Sequence, residues 1–393
     1  MNQKVRVLHF SNGVARGGAE EHMLTLLRNL DRDHFELLLA CPPALREQLG
    51  DLPDDVEVTP WAPMEPWQTA TGWRLARWMR RRRVQLLHAH LSCASRAAAP
   101  WAKLAGVPVL ETPHVRESWR RGWKRSCGLD RAAGLLVDAY IAVSHANARY
   151  LREEKRLPAH KVHTILNGIA VARFAAPVPA VLDPRPALGI PPADLLLLCV
   201  ARLEPQKGHA VLLEALAALP RTLIGRLRLV CLGEGGLLEP LRRQAAELAL
   251  GNRVVFTGFD PQVERWLAVT DLFVLPSRYE GLPLSAMEAS AAGCPVLATA
   301  VDGTPEVVAH GRNGWLVPPG DAPALTRGLL RLLTDTELRR QLGEGGRHRA
   351  RREFDQIRQT EATAALYCEL AGVGSSAAAP GAVVSPEMHR RSA

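Results

Sequence analysis

The chain has 393 residues, 47% hydrophobic and 23% charged, which suits a soluble globular protein with two sizeable cores rather than one. No apolar run approaches the roughly 18 to 20 residues of a spanning helix, and the start, Val5 to Phe10, reads as a strand rather than a signal-peptide apolar region, so neither a membrane-spanning nor an exported chain is expected. The net charge of +9 falls entirely in residues 1–180, which hold 26 Lys+Arg against 17 Asp+Glu, but no recognisable nucleic-acid-binding module accompanies it, and nucleic acid is not an expected partner.

In chain order, the strand Val5 to Phe10 leads into a glycine loop, Arg16-Gly17-Gly18-Ala19-Glu20, and then a helix carrying Leu24, Leu27 and Leu30. Glycines let backbone approach a ligand, and the helix start adds amide donors; a tight strand-to-helix turn would use the same residues. Gly-x-Gly-x-x-Gly is absent, so no dinucleotide cofactor is implied. Asp31, Arg32 and Asp33 resemble an Asp-x-Asp metal motif, but they fall at a helix end before the strand Phe35 to Ala40, where that motif does not belong. A basic helix follows, with Trp73, Arg74, Arg77, Trp78 and Arg80 to Arg83, and a second cluster runs from Arg116 through Trp119 and Trp123 to Arg125. These stretches suit an anionic membrane surface, or equally a solvated basic face with its tryptophans turned into the core.

The next strands are Val84 to His88, Val107 to Glu111 and Ala139 to Val143. His88 and His90 form His-x-His at a strand end; two histidines alone are a thin metal site, so packing is the expectation and no metal is implied. His114 stands just past a strand end. A proline-rich stretch, 175–193, cannot propagate helix or strand and divides an N-terminal domain, 1–174, from a C-terminal one, 194–351. In the second half, apolar runs recur at Leu195 to Val200, Arg228 to Leu232, Val254 to Thr257, Leu272 to Leu275 and Pro295 to Ala298. Strands alternating with helices specify an α/β fold of parallel sheets covered on both faces. The seven cysteines are scattered with no Cys-x-x-Cys, which predicts buried thiols at Cys199 and Cys231 and a cytoplasmic, reducing compartment.

Two clusters in this half carry the chemistry. Arg202 and Lys207 follow the strand Leu195 to Val200, at the carboxyl end of a strand in an open sheet, where ligands bind; two fixed cations suit a diphosphate. Glu280 and Glu288 bracket the start of a helix from Leu284 to Ala292. The turn amides of Gly281, Leu282 and Leu284 and the helix dipole attract phosphate, while each carboxylate accepts hydrogen bonds from sugar hydroxyls. Solvated helix-end glutamates would have the same local pattern.

The spacing of Glu280 and Glu288, with Glu-Gly-Leu-Pro-Leu at its start, resembles the signature of retaining glycosyltransferases of family 4. Many members have Gly where this chain has Pro283, so phosphate contacts fall to its neighbours. Arg202, four residues, then Lys207-Gly208 matches the family fully, and Gly17-Gly18-Ala19-Glu20 looks like the family's loop over donor phosphate or acceptor. Smaller matches, including Asn167-Gly168-Ile169, Gly233-Glu234-Gly235 and Gly311 to Val317, extend the resemblance over about residues 5 to 350.

The resemblance implies the GT-B fold, two Rossmann-like domains facing a cleft, with a C-terminal helix, 352–371, crossing back to the first domain; the residues after it, 372–393, with Ser375 to Pro380, read from composition as a disordered tail. It implies that Glu280 and His114 contact the transferred sugar, Glu288 the ribose, Arg202 and Lys207 the diphosphate, and backbone near Gly258 the base. The activity implied is hexose transfer from a UDP- or GDP-linked donor to a glycan or lipid-linked acceptor in cell-envelope biosynthesis, without metal or cofactor, in the cytoplasm or peripherally at the inner face of the membrane. A nucleotide-sugar epimerase of the same fold and a non-catalytic sugar-nucleotide scaffold are the alternatives.

Overall fold

Parallel strands covered by helices on both faces are rich in apolar residues, and the central strands follow this pattern, with polar exceptions such as His9, His88, His90, Glu111 and Thr112 toward their carboxyl ends. In the computed structural model, which describes residues 4–14, 16–59, 62–114 and 131–373, the first half builds a seven-stranded sheet. Its strands are β1 (Val5–Phe10), β2 (Phe35–Ala40), β3 (Glu57–Thr59), β4 (Leu86–His90), β5 (Val109–Thr112), β6 (Ala139–Ala142) and β7 (Val162–Thr164), in the order β3-β2-β1-β4-β5-β6-β7. The second half builds a six-stranded sheet from β8 (Leu195–Val200), β9 (Leu227–Leu232), β10 (Val254–Gly258), β11 (Leu272–Leu275), β12 (Val296–Thr299) and β13 (Trp315–Val317), ordered β10-β9-β8-β11-β12-β13. Neighbours in both sheets pair in parallel, so the chain is α/β, with two Rossmann-like sheets.

Strand order reverses between β1 and β4 in the first sheet and between β8 and β11 in the second. Ligand crevices of open α/β sheets lie outside the carboxyl ends of strands at such reversals. The three strands outside the expected series, β3, β7 and β13, are three-residue edge strands, and very short edges protect a sheet from further pairing.

The division of the chain differs from the proline-based reading. Ile169, Val171 and Phe174 already pack in the core of the second sheet with Leu196, Phe273 and Val296, so the chain leaves the first domain before Ala175. The proline-rich stretch holds short 3-10 turns at Ala180–Leu182 and Pro186–Leu188, and Ile190 anchors it to that same core. The terminal helix starts at Gln356 rather than Arg352, because Phe354 and Asp355 interrupt the helical run and the Asp355 carboxylate caps the new helix by accepting from Ile357 N. The outward and return crossings lie side by side: Ile169 N donates to Phe354 O at 2.8 Å and Gln356 N to Ile169 O at 3.0 Å. The helix Gln356–Leu370 then inserts Leu366 and Tyr367 into the core of the first sheet.

Candidate functional site

The second-sheet half of the site is two loops, each leaving one strand of the β8/β11 reversal. After β8, residues 201–208 make a 3-10 turn at Pro205–Lys207; after β11, residues 276–283 run into the helix Leu284–Ala292, with Pro283 as its N-cap. The loops are stitched together: Arg278 N donates to Gln206 O at 2.8 Å, and Gln206 Nε2 to Tyr279 O at 2.9 Å. Gly208 sits at φ +69°, and a side chain there would meet Pro276 O at 2.1 Å, so only glycine permits this approach.

That stitching brings Lys207 and Glu280 together. Lys207 Nζ donates to Glu280 Oε1 at 2.6 Å, and Ser277 Oγ donates to the same oxygen at 2.7 Å. The backbone of Glu280 is fixed as well, its N–H donating to Asp302 Oδ2 at 3.0 Å. Glu280 is buried and Lys207 nearly so, hence a held, oriented pair rather than a loose surface contact. Arg202 is exposed and, among the described residues, pairs with Glu204, 2.9 Å away. Glu288 lies half-buried on its helix; burial first, then the nearby Glu21 carboxylate, raises its pKa to about 7.

Across the cleft, the first domain presents the glycine loop and His114. Gly17 caps the helix Gly18–Asn29 in an extended conformation, and a Cβ on Gly18 would lie 3.9 Å from Leu284 of the other domain. Arg16 stacks on Phe259, 5.7 Å from its centroid, next to Gly258, which turns at φ +80° at the end of β10. His114, two residues past β5, meets Gly281 so closely that a Cβ on Gly281 would overlap the His114 carbonyl oxygen at 1.9 Å. Leu282 is buried beside it in the second core. Thus Gly18, His114, Gly281 and Leu284 meet where the domains face one another, and Lys207 and Glu280 lie on the same loop system; Arg202 reaches the glycine loop, its Nε 3.8 Å from where a Gly17 Cβ would stand. Gly258 and Glu288 stand apart from the Lys207–Glu280 pair, on β10 and within the helix.

Three features have no sequence signal of their own. Glu20, within the glycine motif, is buried beneath the loop with Oε1 3.5 Å from Ser11 Oγ, and burial raises its pKa although Arg202 opposes the shift. Glu306 bridges the domains, accepting from His145 N at 2.8 Å and Ala146 N at 2.7 Å at the start of the helix His145–Arg149. The third corrects the His-x-His reading. His88 and His90 do not stand alone: His9, His22 and His114 converge on them, all five buried. Each comes from a different turn of chain or alternate strand position, so no linear spacing announces the group.

Cys199 and Cys231 are buried thiols; burial raises Cys199 to about 12. Helix Thr69–Arg82 exposes Trp73 at 51% while Trp78 packs partly against the core, so its tryptophans divide between the two readings. The second cluster, Arg116 to Arg125, and the tail from 374 lie outside the described residues. Among the described residues no helix is long and apolar enough to cross a membrane.

Comparison with known proteins agrees with this architecture. Residues 16–173 match the family described as Glycosyltransferase Family 4, and residues 183–349 match Glycosyl transferases group 1. The EpsF protein of Bacillus subtilis (strain 168) is 32% identical over 308 residues, covering 74% of this chain and 78% of that one. The lipopolysaccharide core biosynthesis mannosyltransferase LpsB of Rhizobium meliloti (strain 1021) is 28% identical over 246 residues, 59% of this chain and 65% of LpsB. Anabaena Alr3699/HepE, solved in complex with UDP-glucose, superposes with a TM-score of 0.80 at 22% identity, over 93% of this chain and 99% of HepE. Two parallel sheets facing a cleft, a relative above 30% identity over most of its length, and family matches in both halves place this chain among the family 4 glycosyltransferases, with the GT-B fold.

Proposed function

We propose that the protein is a retaining hexosyltransferase that takes its sugar from a nucleoside diphosphate donor and gives it to a hydroxyl of a glycan or lipid-linked acceptor. The observation that carries the reading is the Lys207–Glu280 pair, 2.6 Å apart at the β8/β11 reversal and facing the His114 loop. An ammonium has three donors, so Lys207 can hold Glu280 and still present two to a diphosphate. Among the described residues the ion-pair partner of Arg202 is the exposed Glu204 carboxylate, and such pairs are worth little, so the guanidinium can turn to phosphate. Glu280 accepts from sugar hydroxyls, Glu288 from the ribose, and His114 approaches the sugar from the first domain. Amides of Gly17, Gly18, Gly281, Leu282 and Leu284 face phosphate, and backbone at Gly258 borders the base.

In this reading the bond from the anomeric carbon to the phosphate oxygen breaks while Arg202 and Lys207 stabilise the charge left on the nucleoside diphosphate. The acceptor oxygen forms its bond on the face just vacated, and its proton passes to the departing phosphate oxygen. Glu280, engaged by Lys207 and Ser277, is a positioned hydrogen-bond acceptor rather than a free nucleophile, which favours this same-face route. Two cations do what a metal ion does elsewhere, so the diphosphate chemistry needs none. The surplus of basic residues in 1–180 and the exposed Trp73 beside Arg74 and Arg77 favour an acidic, lipid-linked acceptor at an anionic membrane surface in envelope glycan synthesis.

The test is thermal unfolding of the protein against UDP-, GDP-, ADP- and CDP-sugars, repeated with Lys207→Ala and Glu288→Ala. A ligand at one hundred times its dissociation constant adds about 2.7 kcal/mol. Stabilisation by one nucleotide class, lost in both variants, supports the donor site; no shift with any sugar nucleotide in folded protein overturns it. Release of nucleotide only when acceptor is added separates transfer from epimerisation.

A further inference from the structure

The buried histidine group lies at the β1/β4 reversal, the first domain's own ligand position, and the transfer chemistry proposed above uses only one of its rings. His22 comes from the helix after the glycine loop, His90 from the last position of β4, and His114 from the loop past β5. One ring nitrogen from each lies within 4.8 Å of the other two. Burying a polar atom without a partner is costly, yet His22 Nε2, His90 Nδ1 and His114 Nε2 are all buried with no partner among the described residues. The opposite nitrogens of two of the rings are occupied: His22 Nδ1 lies 2.9 Å from Asn167 Oδ1 and 2.8 Å from Gln359 Nε2, and His90 Nε2 3.1 Å from His9 Nδ1. In the tautomers that donate N–H from His22 Nδ1 to Asn167 and from His90 Nε2 to His9, the unpartnered nitrogens of those two rings carry a free lone pair. This is how metal-bound imidazoles are held by their outer partners.

We propose that His22, His90 and His114 form a binding site for one divalent transition-metal ion of the Zn2+ class. Tetrahedral coordination at about 2.0 to 2.1 Å sets ligand nitrogens roughly 3.4 Å apart, so the rings need move only about an ångström or so to close on an ion. Three neutral imidazoles with no carboxylate favour Zn2+, Co2+ or Ni2+ over the oxygen-seeking Mg2+ and Mn2+ that accompany diphosphates. Burial holds all three rings below the ordinary imidazole pKa, with His22 at about 4, so they are neutral and available. The other triad, His9, His88 and His90, is a weaker site, because both His88 nitrogens are taken, by Tyr367 OH at 2.5 Å and Thr112 Oγ1 at 2.7 Å. An ion among His22, His90 and His114 would pin the helix after the glycine loop, the end of β4 and the His114 loop to one another, fixing the first-domain wall of the cleft.

The experiment is titration of the chelator-treated full chain with Co2+, followed by visible absorption and thermal unfolding. The expected result is saturation at one ion per chain, with the intense visible bands of a four-coordinate site and a rise in Tm. Both signals are lost in His22→Gln and His114→Gln and kept in His88→Gln and in the surface control His160→Ala, with circular dichroism confirming that each variant is folded. No uptake by folded protein, or uptake that survives His22→Gln and His114→Gln, overturns the proposal; loss in His88→Gln but not in His22→Gln moves the ion to the other triad and overturns this assignment. None of these readouts depends on glycosyl transfer.

Discussion

Lys207 and Glu280 show what a residue-scale contact decides. Both are largely withdrawn from water, so removing one leaves the other charged and without its partner, whereas removing both does not. Lys207→Ala is expected to lower unfolding stability by about 3 kcal/mol, and the double variant Lys207→Met with Glu280→Gln by clearly less, measured by urea denaturation. Transfer should fall at least a hundredfold in both, since both lose the phosphate donor. Glu288 makes a pH-dependent prediction. Its carboxyl titrates at about 7 when folded against 4.5 in the free chain, so the folded state favours the protonated form. Stability from this group is therefore full below about pH 4.5, falls as the pH rises through 7 and is gone above it. Glu288→Gln should match the parent near pH 4.5 and exceed it at pH 8 by about 1 to 3 kcal/mol in unfolding experiments across that range.

At the scale of elements, the cleft depends on close backbone approaches. Gly281 accepts the His114 carbonyl where any Cβ would collide at 1.9 Å, and Gly168 takes Gln356 Cα at 2.6 Å from its own would-be Cβ. Gly168→Ala is expected to cost about 1 to 3 kcal/mol by forcing the two crossing segments apart, read as a drop in Tm. Gly281→Ala displaces the two domains at the site itself, so it should weaken donor binding more than it lowers stability. Glu306 caps an N-terminal-domain helix from the other domain, one carboxylate oxygen accepting from each amide; Glu306→Gln removes the charge and replaces one of the two acceptors with a donor, and should increase hydrogen exchange at His145 and Ala146 with little change in global unfolding. None of these partners is within a hundred residues of the other except by tertiary structure.

Considered whole, the molecule is two sheets joined by a paired crossing at Ile169 and Asp355, not by the proline-rich stretch, which packs against the second core. If the proposed donor closes the two domains, this crossing is where they would turn. Removing residues 356–393 would strip Leu366 and Tyr367 from the first core and take the Tyr367 hydroxyl from His88, so the truncated chain should lose cooperative unfolding of its first domain, seen calorimetrically as a missing transition.

The sequence by itself determined the α/β class, the central strands and the loops bearing Arg202, Lys207, Glu280 and the glycines. Buried parallel strands are rich in apolar residues, and strand-to-helix turns that meet phosphate require glycine and basic residues close together in the chain. Edge strands β3, β7 and β13 escaped because three residues are too few to set a period or a run of strand length. Only the tertiary structure decided that Lys207 meets Glu280, that Glu306 reaches across to His145, that the domains exchange chain at Ile169, and that His9, His22, His88, His90 and His114 share one buried space. Such contacts join residues whose separation along the chain is set by sheet order, and sheet order follows from how the two layers of helices pack, which no local pattern of residues encodes.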